Sequence, residues 1–298
     1  MDNATSGLAQ QIAQLDQGVH SIDWNGFPLR VVRQRWGDLA ISLYGAQALW
    51  FQPTGQKPVL WTTTKPASLP KAVRGGVPLC WPWFAEPLEE NAGEPFHGVA
   101  RTVEWEVGAE SYDAHGGEWL LKPVGPLWKG LDPSLTIRVV GSAITFKLTT
   151  HNVGQTDVRV TQALHTYLAI SSRSTIRVSG LDTATYADKN RDFSEFVQAG
   201  DIHVNEAIDR IYRSASDVYL NDAGWQRTVK ISKKNSQSTV VWNAGADAES
   251  ITDIGLDQVD SYLCIEAAKT RQYDDMVLSP NQKVTLETTI SVEPQFAE

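Results

Sequence analysis

The chain has only two cysteines, Cys80 and Cys264, among its 298 residues. So few thiols leave no disulfide scaffold and fit a reducing compartment, so a cytoplasmic location is expected. Long basic runs are missing as well, and 26 Lys and Arg against 35 Asp and Glu give a formal charge of −9. Nucleic acid and anionic membranes are therefore not expected partners. No stretch approaches the roughly 20 apolar residues that span a bilayer. The opening "MDNATSGLAQQIAQLDQ" has neither a basic n-region nor an unbroken apolar run and is not read as a signal peptide. Low-complexity linkers and repeats of fixed period are also lacking. Residues 1–298 therefore read as a single domain, with residues 1–20 as a partly helical N-terminal extension.

What the chain does have is strand signal. Leu8, Ile12 and Leu15 stand at helical spacing and predict one short amphipathic helix between about Ser6 and Gln17. Beyond it, runs such as "LAISLYGAQALWFQP", "TVEWEVGAE", "LTIRVVGSAITFKLTTHNVG", "VRVTQALHTYLAI", "STVVWNA", "SYLCIEAA" and "KVTLETTISVEP" are rich in β-branched and aromatic residues. Gly, Pro, Asp and Asn separate them. The expected fold is all-β, a large antiparallel β-sandwich.

Two strands carry residues of chemical interest. In "VRVTQALHTYLAI", Val158, Val160, Gln162, Leu164, Thr166, Leu168 and Ile170 share the apolar face. His165 lies on the other face with Thr161, Ala163 and Tyr167, where a solvent-facing or simply hydrogen-bonded histidine is the plain expectation. In "SYLCIEAA", Tyr262, Cys264 and Glu266 point one way, away from Leu263 and Ile265. Glu is depleted in strands, so Glu266 is either solvated or held in a site. Two loops add candidates. "VRGGVPLCWPWFAEP" sets Arg74 before a Gly-Gly turn and packs Trp81, Trp83 and Phe84 closely, either as a staple to the core or as an aromatic wall. "FHGVART" holds His97 and Arg101. Two arginines near rigid loops suggest an anion clamp, since the guanidinium offers a planar fork of donors. His20, His115, His151 and His203 read as surface or structural, and both cysteines as small buried residues.

Taken together, "RGGVPLCWPWF", "HGVARTVEWEV", "ALHTYL" and "YLCIEAA" resemble, in order and separation, the aldose 1-epimerase (galactose mutarotase-like) superfamily, over roughly residues 25 to 295. The branch most resembled is that of the glucose-6-phosphate 1-epimerases. The resemblance implies a β-sandwich with a cleft on one sheet and interconversion of the α and β anomers of a hexose 6-phosphate. It implies that His165 is the general acid at the ring oxygen and Glu266 the base at the C1 hydroxyl. It implies that His97 and Asp209 (in "EAIDRIY") contact the sugar and that Arg74 and Arg101 hold the phosphate, and the aromatic-wall reading of the loop adds Trp81 and Phe84 as substrate contacts. Two positions depart from the branch: Phe96 stands where a polar residue is common, and Trp242-Asn243 is not followed by Pro-Trp.

Opening a hemiacetal ring needs one proton removed and one delivered, work for a carboxylate and an imidazole. No cofactor and no metal are expected. The His97, His165 and Glu266 set matches no local metal-binding spacing. A monomer acting on a hexose phosphate is expected. The competing readings are a non-catalytic carbohydrate-binding or regulatory sandwich, an epimerase of unphosphorylated sugar, and a glycosidase using Asp209 and Glu266 as its two carboxylates.

Overall fold

The alternating runs do form strands, and among the described residues strand pairs with strand antiparallel, beside one isolated parallel bridge between Trp81 and Gly98. A computed structural model describes residues 7–87 and 89–294. One eight-stranded sheet runs, edge to edge, through Ile176–Ser179, Val218–Asp222, Arg227–Lys234, Lys283–Pro294, Ala143–Asn152, Leu131–Val140, Gly116–Pro123 and Trp105–Tyr112. The second, which we call the site sheet, orders Ser194–Val197, Thr185–Asp188, Ile208–Arg213, Ser238–Asn243, Tyr262–Lys269, Gln162–Leu164 and Leu79–Cys80, with Tyr167–Ala169 also on Tyr262–Lys269. Their facing sides share one apolar core. Leu164, Leu168, Leu263 and Ile265 of the site sheet meet it from one side, and Phe146, Leu148, Leu286 and Ile290 from the other. Burial of side chains of this size stabilises by roughly 1.5–3 kcal/mol each.

A four-stranded sheet, Gly18–Trp24 to Gln47–Pro53, carries the helix Gly7–Ala13. Leu8, Ala9 and Ile12 pack there against Trp24, Phe27 and Leu29, and Leu15 adds a partly buried contact. The helix is shorter than its spacing predicts, and Ser6 lies outside the described residues.

"VRVTQALHTYLAI" is not one strand. Val158–Val160 leaves the site sheet to pair with Met276–Leu278, and the remainder divides into Gln162–Leu164 and Tyr167–Ala169. The division falls at His165 because its backbone N–H donates sideways to Pro78 (3.0 Å) in the Gly-Gly loop. Register survives the interruption. Leu164 pairs with Ala267 and Tyr167 with Cys264, so His165 stands directly opposite Glu266.

Candidate active site

The side of the site sheet turned away from the shared core is covered as well. His165 is only 9% exposed and Glu266 1%, so the solvent-facing expectation for this histidine is corrected. Two adjacent rows of the sheet make the floor. Pairing sets Asp209, Trp242, Cys264 and Tyr167 in one row, and Ile211, Val240, Glu266 and His165 in the next. Residues directly opposite on one face bring their Cβ atoms to about 5 Å, and His165 Nδ1 lies 3.4 Å from Glu266 Oε1. Above the floor is a cleft of about 490 Å³, bordered by Arg74, His97, Arg101, His165, Asp209 and Glu266.

Loop geometry supplies the walls. Gly76 adopts φ +58°, and a Cβ there would lie 1.9 Å from the Ala48 carbonyl oxygen, so the turn after Arg74 requires glycine. Arg74 donates to Asp253 (2.7 Å) and to the Tyr167 hydroxyl (3.2 Å). Burial works against its charge, but Tyr167 and Asp253 more than offset that and raise its pKa. Tyr167 in turn stacks on the His165 ring, with centroids 4.9 Å apart and planes 10° off parallel. His97 and Ala85 clasp each other. The His97 N–H donates to the Ala85 carbonyl (2.8 Å), and the Ala85 N–H donates to His97 Nδ1 (3.0 Å). A neutral His97 accepting at Nδ1 must carry its proton on Nε2. Both residues sit at left-handed φ, 66° and 64°. Such backbone, costing about 1–3 kcal/mol in a non-glycine residue, tends to collect at functional sites.

Electrostatics separate this cleft from an ordinary polar pocket. Burial, helped by Arg101 and Arg74, pushes the His165 pKa down to about 3. Burial and the nearby Asp209 push Glu266 well above the usual carboxylate range. His97 is held well below 6.5 by burial, His165 and Arg101. Burial also raises Asp209, against the pull of Lys189. Burial thus favours the uncharged form of both partners, the neutral imidazole and the protonated carboxyl. Glu266 Oε2, His165 Nδ1 and Arg101 Nε are buried without a hydrogen-bond partner in the protein. Buried polar atoms are ordinarily satisfied, so these three mark where a polar ligand belongs.

Of the residues expected to contact the substrate, the fold brings His97, Asp209, Arg74, Arg101 and Phe84 to the cleft. The Phe84 ring centroid lies 5.1 Å from that of His97. Trp81 is a correction. Strand alternation at Leu79–Cys80 sends Leu79 and Trp81 into the inter-sheet core and Cys80 to the opposite face. Trp81 is fully buried, with its indole N–H on the Thr150 hydroxyl (2.9 Å). Trp83 is also buried, bonded to the Pro95 carbonyl. Sequence reading missed Tyr167, Asp253 and Lys189. Tyr167 was legible as a same-face neighbour of His165, whereas Lys189 opens a short turn, Lys189–Arg191, capped by Asp188 at the end of the strand Thr185–Asp188.

Metal ligation takes a different set from His97, His165 and Glu266. The converging donors are His165, Cys264 and Glu266, with ligand atoms within 4.8 Å of one another. Burial holds Cys264 as a thiol and Glu266 as an acid, so an ion would have to displace both protons.

The antiparallel sandwich thus sets a buried histidine–carboxyl pair before an arginine-bearing cleft, a site suited to acid–base chemistry, and the comparisons give it a family. The aldose 1-epimerase family matches residues 34–291, and the chain belongs to that family. It is 30% identical over 257 residues to an Escherichia coli (strain K12) protein named "Putative glucose-6-phosphate 1-epimerase", covering 83% of this chain and 82% of that one. A Cenchrus ciliaris protein of the same name is 27% identical over 272 residues, covering 85% and 81%. A crystal structure from Salmonella typhimurium, of "a putative mutarotase (YeaD)", superposes with a TM-score of 0.86 at 27% identity, over 96% of this chain and 99% of that one.

Proposed function

We propose that this protein interconverts the α and β anomers of a hexose 6-phosphate, with glucose 6-phosphate the first substrate to test. The observation that carries the reading is the His165–Glu266 pair, 3.4 Å apart at the floor of a cleft that also contains Arg74 and Arg101. The names borne by the similar Escherichia coli and Cenchrus ciliaris proteins point to the same substrate.

In this reaction Glu266 takes the C1 hydroxyl proton while His165 protonates the ring oxygen. The C1–C2 bond of the opened sugar rotates, and closure on the other carbonyl face reverses both transfers. The pair needs no net proton, only a change in which partner holds it. The charges that depress His165, beyond burial, are Arg101, Arg74 and Lys189. A bound phosphate neutralises them, and the histidine becomes easier to protonate once substrate is in place. His97, with its Nε2 proton directed away from Ala85, donates to a sugar oxygen. Asp209 accepts from sugar hydroxyls, and Phe84 and Trp242 supply apolar surface for the ring. The carbohydrate-binding alternative offers no reason to bury a carboxyl to 1% exposure beside an imidazole, an arrangement that carries a desolvation penalty.

The same reading takes the chain as one domain acting as a cytoplasmic monomer. The core shared by both eight-stranded sheets supports the first part, and two buried free cysteines support the location. Among the described residues, no helix is long and apolar enough to cross a membrane.

The test is a mutarotation assay on glucose 6-phosphate, galactose 6-phosphate and the free sugars. Acceleration with preference for a phosphorylated sugar is the expected result. Binding without acceleration would transfer the protein to the carbohydrate-binding class, and release of reducing sugar from glycosides would make it a hydrolase.

A further inference from the structure

The positive charge in the cleft is unevenly committed. Arg74 already faces the Asp253 carboxylate at 2.7 Å. Among the described residues, Arg101 and Arg271 reach backbone carbonyls, those of Phe96 and Glu86, and no carboxylate. Lys189 forms only a long ion pair, its Nζ standing 3.7 Å from the Asp209 carboxylate. The same Nζ lies 5.3 Å over the Phe96 ring, whose own backbone carbonyl takes the Arg101 bond. Lys189 and Arg101 thus flank one residue on one wall, and Lys189 remains 40% exposed toward the cleft it lines.

The segment that presents Lys189 is built for the purpose. Asp188, 4% exposed, caps the short turn Lys189–Arg191 by accepting the Asn190 N–H (3.1 Å), and its carbonyl accepts the Phe193 N–H (2.9 Å). Arg210 lies 3.5 Å from the Asp188 carboxylate. Two successive non-glycine residues, Asp192 and Phe193, then adopt left-handed φ of 52° and 58°. Strain of this kind persists where the surroundings over-determine it, and it is enriched at ligand clamps. Lys189 also ranks among the charges that act on His97, His165, Asp209 and Glu266.

We infer that Lys189 is a specificity-determining substrate contact, which with Arg101 binds the anionic phosphate of the sugar and so leaves Asp209 free for sugar hydroxyls. This rests on the hexose-phosphate reading above. A charge-assisted hydrogen bond to a dianion predicts that Lys189→Met lowers the preference for phosphorylated over free hexose, as the ratio of kcat/KM values, by roughly 10- to 100-fold. The loss should appear in KM more than in kcat, and Lys189→Arg should restore most of it. A parallel measurement on the wild-type protein needs no variant. Inorganic phosphate should protect Lys189 from acetylation, read by peptide mass mapping. Equal losses on phosphorylated and free sugar, no loss at all, or unchanged labelling of Lys189 at phosphate concentrations that inhibit the enzyme would overturn the inference. If the wild type accelerates no sugar's anomerisation, it is the functional reading that fails, and phosphate protection still decides whether Lys189 binds the anion.

Discussion

Two cavities meet at the segment 188–193, and they differ in the buried titratable groups they hold. The larger, about 850 Å³, is bordered by Arg173, Arg191 and Arg210. Arg173 donates to Asp260 at 2.5 Å, while Arg210 and Arg191 share the Asp188 carboxylate at 3.5 and 4.0 Å, and Arg210 Nε has no hydrogen-bond partner. The smaller, about 490 Å³, instead buries Glu266, His165 and Arg101 with atoms left unbonded by the protein. Size would favour the first cavity as a site, and chemistry favours the second. Paired charges hold a fold together, whereas a buried titratable pair with strongly shifted pKa values, here His165 and Glu266, marks a candidate site of chemistry.

Substitutions on the two sides should therefore fail differently. His165→Asn removes the acid and is expected to slow anomerisation by about 10²- to 10⁴-fold while the protein still folds. Circular dichroism and a coupled anomer assay check both halves. Asp188→Ala, on the paired side, strips the cap from Lys189–Arg191 and the partner from Arg210. Unfolding by urea should show about 2 kcal/mol of lost stability, with a smaller drop in activity than His165→Asn gives.

The pH dependence of stability sharpens the contrast. With its folded pKa near 3, His165 stays neutral while an unfolded histidine protonates near 6.5. The unfolded chain then binds the extra proton, so stability drains away as pH falls from about 6.5 toward 3. Glu266 works in the other direction. Its raised pKa takes stability away as pH climbs above its unfolded value of 4.5. Melting temperatures of His165→Asn should consequently fall less between pH 6.5 and 4.5 than those of the wild type. The smallest expected effect is that of Tyr167→Phe, which removes the 3.2 Å bond from Arg74. At about 1 kcal/mol, KM for a hexose phosphate should rise less than tenfold.

Strand alternation was enough to separate the core face of Leu164 and Leu168 from the face of His165, and that of Leu263 and Ile265 from Glu266. It did not reveal register. That His165 opposes Glu266 depends on the pairing of Leu164 with Ala267 and Tyr167 with Cys264, and no local pattern encodes which strands are neighbours. Trp81 shows the reverse failure. Its place in the core follows from the same alternation through Leu79 and Cys80, but aromatic crowding in the loop suggested a substrate wall. Lys189 was invisible for a third reason: its role comes from Asp209 and Phe96, respectively 20 residues after and 93 residues before it in the chain.

The central claim, that the opposed His165–Glu266 pair performs the proton transfers, is tested most directly by Glu266→Gln. The amide matches the shape of a carboxyl already held uncharged by burial, so the melting temperature at neutral pH should be preserved or raised. Without a proton acceptor, the exchange rate between glucose 6-phosphate anomers, read by NMR saturation transfer, should fall at least about 100-fold. A folded Glu266→Gln protein that exchanges the anomers at close to the wild-type rate would contradict the account.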